Sequence, residues 1–391
     1  HFGLGNAWQC FLCTMVRLAR SQRRLQCLRA NKASKKAKPG REGLPSRPSL
    51  RPHAAPKQDV ETSVQQQLHN LQANKDGHKT AEQLRARTAV KRALPRYARI
   101  NTLAPGVTWG QVQRELQATG HSFWRPSIKE KRDAAQRSCG LEPPKGFGNK
   151  IYFRDVHIPE LLVFRPMGQS HTEDVEMFDS GALIFQQKAS AFPALALQPP
   201  RGAEVVDACA APGSKTSQLA AIMCNEGKIY AFDRDGKRLK TLLNLMQQRH
   251  VDCVEAREKD FLRVSPQDVR YCRVTHFLLD PSCSSSGMTA QPISDQSSRD
   301  ELAVNQRAII LHAMRFPSCQ RIAYSTCSVH EEENERVVQQ VLERMGDEFE
   351  LEAALPWWPR RGWPLFEGAE KCVRTSWQDQ TIGFFLALFV R

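Results

Sequence analysis

Two short segments of the sequence place a cysteine beside small polar residues: residues 280–283 read DPSC, and residues 325–328 read STCS. Each segment follows an apolar run typical of a buried strand. A free cysteine is more often an inert buried side chain than a nucleophile. A nucleophilic cysteine needs a pKa below ~8.5, which a helix N-terminus or a nearby lysine provides. Because Cys327 precedes a predicted helix and Lys215 is predicted to project into the same crevice, the pattern indicates a reactive thiolate.

Residues 207–216, with the sequence DACAAPGSKT, follow another predicted strand. Their small side chains let backbone N–H groups approach a ligand, and Gly213 permits a tight turn into the N-terminus of a helix. A nucleoside triphosphate loop would need the pattern Gly-x-x-x-x-Gly-Lys-Ser/Thr. Here Ser214 separates Gly213 from Lys215, and no leading glycine stands at the required position. The sequence therefore excludes that type of loop.

Single carboxylates follow the next strands along the chain. Asp233 stands where a carboxylate accepts from both ribose hydroxyls of a bound nucleoside, and Asp260 stands where one accepts from an adenine amino group. Either residue alone is more often a solvated loop acid or a helix cap. Their recurrence at successive strand ends favours a nucleoside cofactor. Since no Gly-x-Gly-x-x-Gly pattern accompanies the loop, we expect S-adenosylmethionine rather than NAD.

A methyl donor beside two cysteines and an aspartate fits chemistry at carbon 5 of cytosine. That carbon is unreactive until a thiolate adds to carbon 6 of the ring, which makes carbon 5 nucleophilic.

These residues must be positioned by a regular alternation of strands and helices that begins after about residue 180. The predicted strands are 204–206, 229–232, 275–279, 321–324 and 384–390, and the predicted helices are 215–223, 237–248, 301–314 and 332–344. Such an alternation is typical of a doubly wound, mostly parallel α/β sheet of the Rossmann-like type. Ligands of these sheets bind outside the carboxyl ends of the strands, where the residues above are predicted to lie.

Four segments are predicted along the chain: a basic, disordered extension (1–60), a helical segment (61–95), a small α+β module (96–170) and an α/β domain that binds the methyl donor (171–391). Within the module we predict a strand over 100–103, a helix over 110–119, an irregular stretch, and a strand over 161–164. If the cytosine lies in RNA, it must be single-stranded or flipped out, because side chains cannot read the deep, narrow major groove of an RNA duplex.

The charge is concentrated at one end. The chain carries 56 Lys and Arg against 41 Asp and Glu, and residues 1–100 hold 21 basic and 5 acidic side chains. This basic stretch is expected to add salt-dependent affinity for phosphates. It predicts a nuclear-import or RNA-tethering segment, hence a nuclear or nucleolar location, with a mitochondrial transit peptide as the alternative. No metal site is expected at the lone Cys10 and Cys13 pair, and no apolar run reaches the ~20 residues of a membrane span.

From about residue 96 to 391 the chain resembles the Nop/Sun family of RNA cytosine-5 methyltransferases. The matching elements are 96–102 (RYARINT), 207–216, 279–283 (LDPSC), 325–328 with 333–335 (ENE), and 383–385 (GFF). Residues 156–163 (VHIPELLV) and 316–318 (FPS) are similar to the subfamily whose members modify large-subunit ribosomal RNA.

The resemblance implies a role for each site residue. Cys327 would be the nucleophile, whereas DNA enzymes of related chemistry use the cysteine of the Pro-Cys type. Cys283 would assist product release, and Asp280 would hold the N3/N4 edge of the cytosine with Lys215 near the base. The cofactor would be bound by the backbone around Cys209, Ala210, Ala211, Pro212, Gly213, Ser214 and Lys215, together with Asp233, Arg238, Asp260 and Asp280.

The chain departs from the family pattern at two positions. Ser285 stands where the family commonly has Gly, and this difference affects the loop geometry beside Cys283. Gln187 stands where the family usually has Asp, in a contact that closes the site. Because both cysteines, Asp280 and Lys215 are present, an active enzyme is expected.

Three alternatives stay open. A catalytically impaired RNA-binding paralogue would share these features. A methyltransferase for tRNA or another substrate would also bind the cofactor, and one acting on protein would not need Cys327. A DNA cytosine methyltransferase would use Cys283 as its nucleophile.

Overall fold

The structure is a computed structural model that describes residues 94–391, except residues 138–140, 142–147, 167–171, 173–174 and 289–294. The predicted basic extension, Cys10, Cys13 and nearly all of the predicted helical segment lie outside these residues. Pro95, the last residue of that segment, is instead the first residue of a strand.

The first sheet has five strands in the order β2-β3-β4-β1-β5. They are β1 (Pro95–Ile100), β2 (Ser122–Phe123), β3 (Ile151–Arg154), β4 (Leu161–Pro166) and β5 (Leu183–Phe185), with helices α1 (Trp109–Ala118) and α2 (Ile128–Arg137) between them. The Thr108 hydroxyl caps α1 by accepting from the Gln111 N–H, and the helix turns Val112 and Leu116 onto one face of the sheet. β5 pairs with β1 although it lies beyond residue 170, so the sheet continues past the predicted module boundary.

The strand predicted over residues 100–103 is wrong, because β1 ends at Ile100. Asn101 is buried, and its Nδ2 donates to the carbonyl oxygens of Gly181 (3.0 Å) and Arg249 (2.8 Å), which fixes the chain in a turn. The predicted helix over 110–119 and strand over 161–164 are confirmed as α1 and part of β4. The stretch between them, predicted to be irregular, holds β2, α2 and β3.

The second sheet has the order β11-β13-β10-β9-β6-β7-β8, with β12 paired to β13. Its strands are β6 (Glu204–Asp207), β7 (Lys228–Asp233), β8 (Val254–Glu258), β9 (Val274–Leu279), β10 (Arg321–Thr326), β11 (Glu350–Glu352), β12 (Val373–Thr375) and β13 (Phe384–Val390). The helices are α3 (Lys188–Leu197), α4 (Ser214–Met223), α5 (Gly236–Gln248), α6 (Gln296–Met314) and α7 (Glu335–Met345). Strands β10, β9, β6, β7 and β8 are parallel, and β13 is antiparallel to β10. The predicted doubly wound, mostly parallel sheet is therefore confirmed.

Helices cover both faces of this sheet. One face packs against Leu219 of α4 and Leu242 of α5, and also against Tyr97 and Phe153 of the first sheet. The opposite face packs against α6 and α7 through residues such as Ile310. Burial on both faces explains the continuous apolar sequence FFLALFV of β13, whose residues belong to the cores on either side of the sheet.

Two helix starts differ from those predicted. Helix α6 begins five residues early, at Gln296, because the Asp295 carboxylate caps it by accepting from the Ser298 N–H at 2.8 Å. Helix α7 begins late, at Glu335, because Glu331–Glu333 form a separate 3₁₀ turn. Within the described ranges, no helix is long and apolar enough to cross a membrane.

Candidate active site

The carboxyl ends of β6, β7, β9 and β10 surround a cavity of about 400 Å³. The chain leaves β6 toward β7 on one side and reaches β9 on the other, so the cavity lies at the switch point of the sheet. Eight predicted site residues are on its wall: Cys209, Ala211, Asp233, Arg238, Asp260, Asp280, Cys283 and Cys327. Lys215 is joined to this set through Asp280, whereas Ala210, Pro212, Gly213 and Ser214 do not line the cavity.

The loop at residues 207–216 turns tightly into α4. Gly213 caps the helix with φ 105°, and a Cβ atom there would lie 2.7 Å from Cε of Met246, so both backbone conformation and space favour glycine. Behind the loop, Oδ2 of Asp207 accepts from the Thr216 hydroxyl at 2.8 Å, while its buried Oδ1 has no hydrogen-bond partner in the described chain. Burial raises the pKa of Asp207 to about 7.

The carboxylates of Asp233 and Asp260 are held by backbone N–H groups. Asp233 accepts from the Ala211 N–H at 3.2 Å and lies 3.4 Å from Nη1 of Arg238. Asp260 accepts from the Leu262 N–H at 3.0 Å and so caps a 3₁₀ turn. Both residues also line the cavity, and a carboxylate has about four lone-pair sites, so each can accept from a ligand as well.

These features fit an adenosyl cofactor. The wall offers carboxylates for hydroxyl and amino groups and a small-residue loop at a helix N-terminus. The cavity volume falls within the ~300–1,000 Å³ of small-molecule sites.

The two cysteines of the site lie in contact. Sγ of Cys283 is 3.2 Å from Sγ of Cys327. The hydrogen bond from Cys283 lowers the pKa of Cys327 against the effect of burial, and the Ser285 hydroxyl and the Lys215 charge act in the same direction. The same hydrogen bond is the largest cause that raises the pKa of Cys283, and burial is the second. Of the two thiols, Cys327 is therefore the one that loses its proton more readily.

Asp280 is fixed from two sides. Its Oδ2 accepts from Nζ of Lys215 at 2.7 Å, and its Oδ1 accepts from the Ser325 hydroxyl at 2.6 Å. Burial lowers the pKa of Lys215, but the charge of Asp280 and the hydrogen bond to Asp280 outweigh burial and raise that pKa above its usual value. The sequence analysis did not identify Ser325. Its position at the end of β10, two residues before Cys327, is the signal that indicates it.

A hydroxyl network ties the two cysteine loops together. The Ser284 hydroxyl lies 3.1 Å from those of Ser286 and Ser328, and it also donates to Oε2 of Glu333 at 2.5 Å. Glu333 is fully buried, and its Oε1 accepts from the Ser284 N–H at 2.8 Å and from Nε2 of Gln306 at 3.0 Å. Glu333 entered the sequence analysis only as part of a matching element, with no role assigned.

The loop that follows Cys283 crosses the segment before β13. The Gly287 N–H donates to the Cys327 carbonyl at 2.9 Å, and the Gly383 N–H donates to the Gly287 carbonyl at 2.9 Å. A Cβ atom on Gly287 would collide with the Gly383 carbonyl, so this crossing requires glycine.

Both departures from the family pattern have structural counterparts. Ser285 has φ 58°, the left-handed conformation that favours glycine. Gln187 precedes α3, and its Oε1 accepts from the Thr381 hydroxyl at 3.2 Å. That hydroxyl in turn accepts from the Ala189 N–H, so Gln187 links the start of α3 to the segment before β13.

The sequence matches two family profiles. Residues 194–389 match the family described as 16S rRNA methyltransferase RsmB/F. Residues 94–186 match the ferredoxin-like domain of NOL1/NOP2/Sun domain family member 5. The second match covers the first sheet, and the first covers the second sheet and the cavity.

Similar proteins occur in animals and archaea. The chain is 42% identical over 308 residues to the 28S rRNA (cytosine-C(5))-methyltransferase of Mus musculus, and the match covers 76% of this chain and 63% of the mouse protein. It is 33% identical over 350 residues to the 26S rRNA (cytosine-C(5))-methyltransferase nsun-5 of Caenorhabditis elegans, covering 85% of this chain and 74% of that protein.

Among solved structures, a methyltransferase homolog from Pyrococcus horikoshii is 25% identical, with a TM-score of 0.59 over 84% of this chain and 99% of that one. The chain thus spans the length of the archaeal protein but less than two thirds of the mouse protein.

Proposed function

The chain belongs to the Nop/Sun family of methyltransferases, and from this premise we propose that it transfers a methyl group from S-adenosylmethionine to carbon 5 of a cytosine in RNA. The observation that carries the proposal is the contact between the Cys283 and Cys327 sulfurs, beside a lysine–aspartate pair and on the wall of one cavity. Methyltransferases that act on oxygen or nitrogen have no need of two thiols at this place.

The cofactor would be held by the backbone of residues 209–215 and by Asp233, Arg238 and Asp260. When bound, S-adenosylmethionine supplies the methyl group from its sulfonium sulfur. Asp233 would accept from ribose hydroxyls and Asp260 from the adenine amino group.

Cys327 would carry out the attack. Its thiolate adds to carbon 6 of the cytosine, and the electron pair of the 5,6 double bond then makes carbon 5 nucleophilic. The negative charge that the Cys283 hydrogen bond stabilises on Cys327 is the form needed for this step.

Asp280 and Lys215 would hold the base. The Asp280 carboxylate, fixed by Lys215 and Ser325, would accept from the N4 amino group, and Lys215 lies close enough to stabilise charge that develops on the ring. Preorganised partners of this kind lower the barrier because they need no rearrangement during reaction.

Cys283 would assist release of the product. Once the Cys327 sulfur is bonded to carbon 6, it is no longer a thiolate that accepts from Cys283, so the largest cause of the raised Cys283 pKa is removed. After losing its own proton, Cys283, or a water that it orients, can take the proton from carbon 5, and the Cys327 thiolate then leaves.

The substrate we propose is large-subunit ribosomal RNA, and the place of action is the nucleolus. The support lies in the names of the mouse and nematode relatives, which are 28S and 26S rRNA methyltransferases. Residues 96–170 together with β5 would form the RNA-binding module, and the rest of residues 171–391 would form the methyltransferase domain.

A methyl-transfer assay tests this proposal on ribosomal RNA, tRNA and DNA, with the native chain, Cys327→Ala, Cys283→Ala and the exposed-cysteine control Cys272→Ser. We expect the native chain and the control to methylate ribosomal RNA. Cys327→Ala should lose methylation while still binding S-adenosylmethionine, because the thiolate acts on the base.

Cys283→Ala should stall as a covalent RNA adduct that migrates slowly in denaturing electrophoresis and is absent from the Cys283→Ala/Cys327→Ala double variant. Activity retained by Cys327→Ala but lost by Cys283→Ala would exchange the two roles. No incorporation into any nucleic acid by the folded native chain would refute the proposal.

A further inference from the structure

The two thiols at the site are chemically identical, so their type does not decide which one carries the negative charge. Their sulfurs are 3.2 Å apart, and either can donate to the other. The decision must come from the groups around them, and these groups differ between the two sides of the pair.

On the Cys327 side the structure places groups that favour a thiolate. The Cys283 hydrogen bond is the largest cause that lowers the pKa of Cys327, and the Ser285 hydroxyl and the Lys215 ammonium lower it further. Burial and the Asp280 carboxylate act against them, but that carboxylate is itself paired with Lys215 at 2.7 Å. Ser285 and both cysteines line the same cavity, which brings the hydroxyl and the sulfurs to one wall.

On the Cys283 side the structure places a buried carboxylate. Both oxygens of Glu333 are bonded to Ser284, the residue next to Cys283, through its N–H at 2.8 Å and its hydroxyl at 2.5 Å. The remaining donor to this carboxylate in the described chain is the neutral amide of Gln306 at 3.0 Å. A buried negative charge disfavours a second negative charge close by. After the hydrogen bond to Cys327 and burial, the Glu333 charge is a further cause that raises the pKa of Cys283.

We propose that Glu333 is a positioning residue that keeps the shared proton on Cys283 and thereby makes Cys327 the nucleophile. The consequence for catalysis rests on the proposed function, whereas the placement of the proton does not. In the same arrangement, Glu333 fixes the Cys283 loop through Ser284, so charge and position are controlled by one side chain.

The test measures which cysteine reacts. The full chain, without RNA, is exposed briefly to iodoacetamide between pH 6 and 9, and peptide mass spectrometry gives the ratio of label on Cys327 to label on Cys283. In the native chain we expect Cys327 to be labelled first and at lower pH. In Glu333→Gln the ratio should fall by about threefold or more, the change that half a pKa unit produces.

Two matched variants separate charge from structure. Ser284→Ala removes the hydroxyl bonded to Glu333 but keeps the charge and the backbone hydrogen bond, and Glu333→Asp keeps the charge on a shorter side chain. Both should retain the native preference for Cys327. An unchanged ratio in folded Glu333→Gln, or an equal fall in Ser284→Ala, would overturn the proposal.

If Glu333→Gln does not fold, labelling of the native chain can still refute the proposal. Preferential labelling of Cys283 in the native chain would overturn it. A methyl-transfer assay in parallel distinguishes the two ideas. Absence of methylation refutes the proposed function, but the labelling ratio still reports on Glu333.

Discussion

Ser285 allows a quantitative test, because one residue has both an unfavourable backbone conformation and a favourable hydrogen bond. Its φ of 58° lies in the left-handed region, which costs a residue with a Cβ atom roughly 1–2 kcal/mol. Glycine avoids this cost but loses about 0.4–1 kcal/mol through the greater freedom of the unfolded chain. Ser285→Gly should therefore be more stable than Ser285→Ala by about 0.5–1 kcal/mol.

The serine hydroxyl acts in the opposite direction. It donates to Cys327, and hydrogen bonds to charged groups contribute about 1.5–3 kcal/mol. Both variants lose this bond, so the expected order of stability is native, then Ser285→Gly, then Ser285→Ala. Both variants should also raise the pKa of Cys327, although less than loss of the Cys283 hydrogen bond would.

Urea unfolding followed by tryptophan fluorescence gives the order of stability, and the pH dependence of Cys327 alkylation gives the direction of the pKa change. If Ser285→Ala is as stable as Ser285→Gly, the left-handed conformation is not the source of strain. An alkylation profile that is identical in the native chain and in Ser285→Ala would show that the hydroxyl does not bind Cys327.

Three further predictions concern the cofactor site and the fold. Asp233→Ala should weaken S-adenosylmethionine binding by roughly 1.5–3 kcal/mol in calorimetry, because a charged acceptor is lost; unchanged affinity would remove Asp233 from the cofactor site. Burial raises the pKa of Asp207 from 3.8 to about 7. Between pH 3.8 and about 7 the unfolded chain has therefore released a proton that the folded chain retains, so the free energy of unfolding falls as pH rises. Asp207→Asn should remove this fall and be more stable at pH 8 by up to about 4 kcal/mol in urea unfolding, whereas parallel pH profiles of the two proteins would contradict the shift. Gly287→Ala should destabilise the fold by about 1–3 kcal/mol through collision with the Gly383 carbonyl, and thermal melting that matches the native chain would show that the crossing can relax.

The second sheet was predictable because its signals are local. The central strands contain short apolar runs that are buried on both faces, and the residues that follow are brought together by the parallel order of the strands. The same order of strands predicts that Cys327, Cys283, Asp280 and Lys215 lie in one crevice; the two cysteines are in contact, and so are Lys215 and Asp280. Their roles stay predictions.

The remaining features depend on contacts between distant residues. Strands β2 and β5 have only two and three residues, too few for a periodic pattern to show. Glu333 lies 49 residues from Ser284 in the chain, so its contact with the Cys283 loop follows from tertiary packing alone. Similarly, Asn101 leaves the strand pattern because it binds carbonyls of Gly181 and Arg249, which no local rule indicates.

The crossing of Gly287 and Gly383 has a consequence for the order in which the site forms during synthesis. A ribosome makes both cysteine loops before it makes Gly383 and β13. These later residues supply the antiparallel neighbour of β10 and the contact of the Cys283 loop with Gly383. Domains fold as units. A growing chain whose β13 is still inside the ribosome therefore contains both thiols but lacks the contacts that complete the site. We therefore expect a chain released before residue 383 to contain both cysteines but not the completed site.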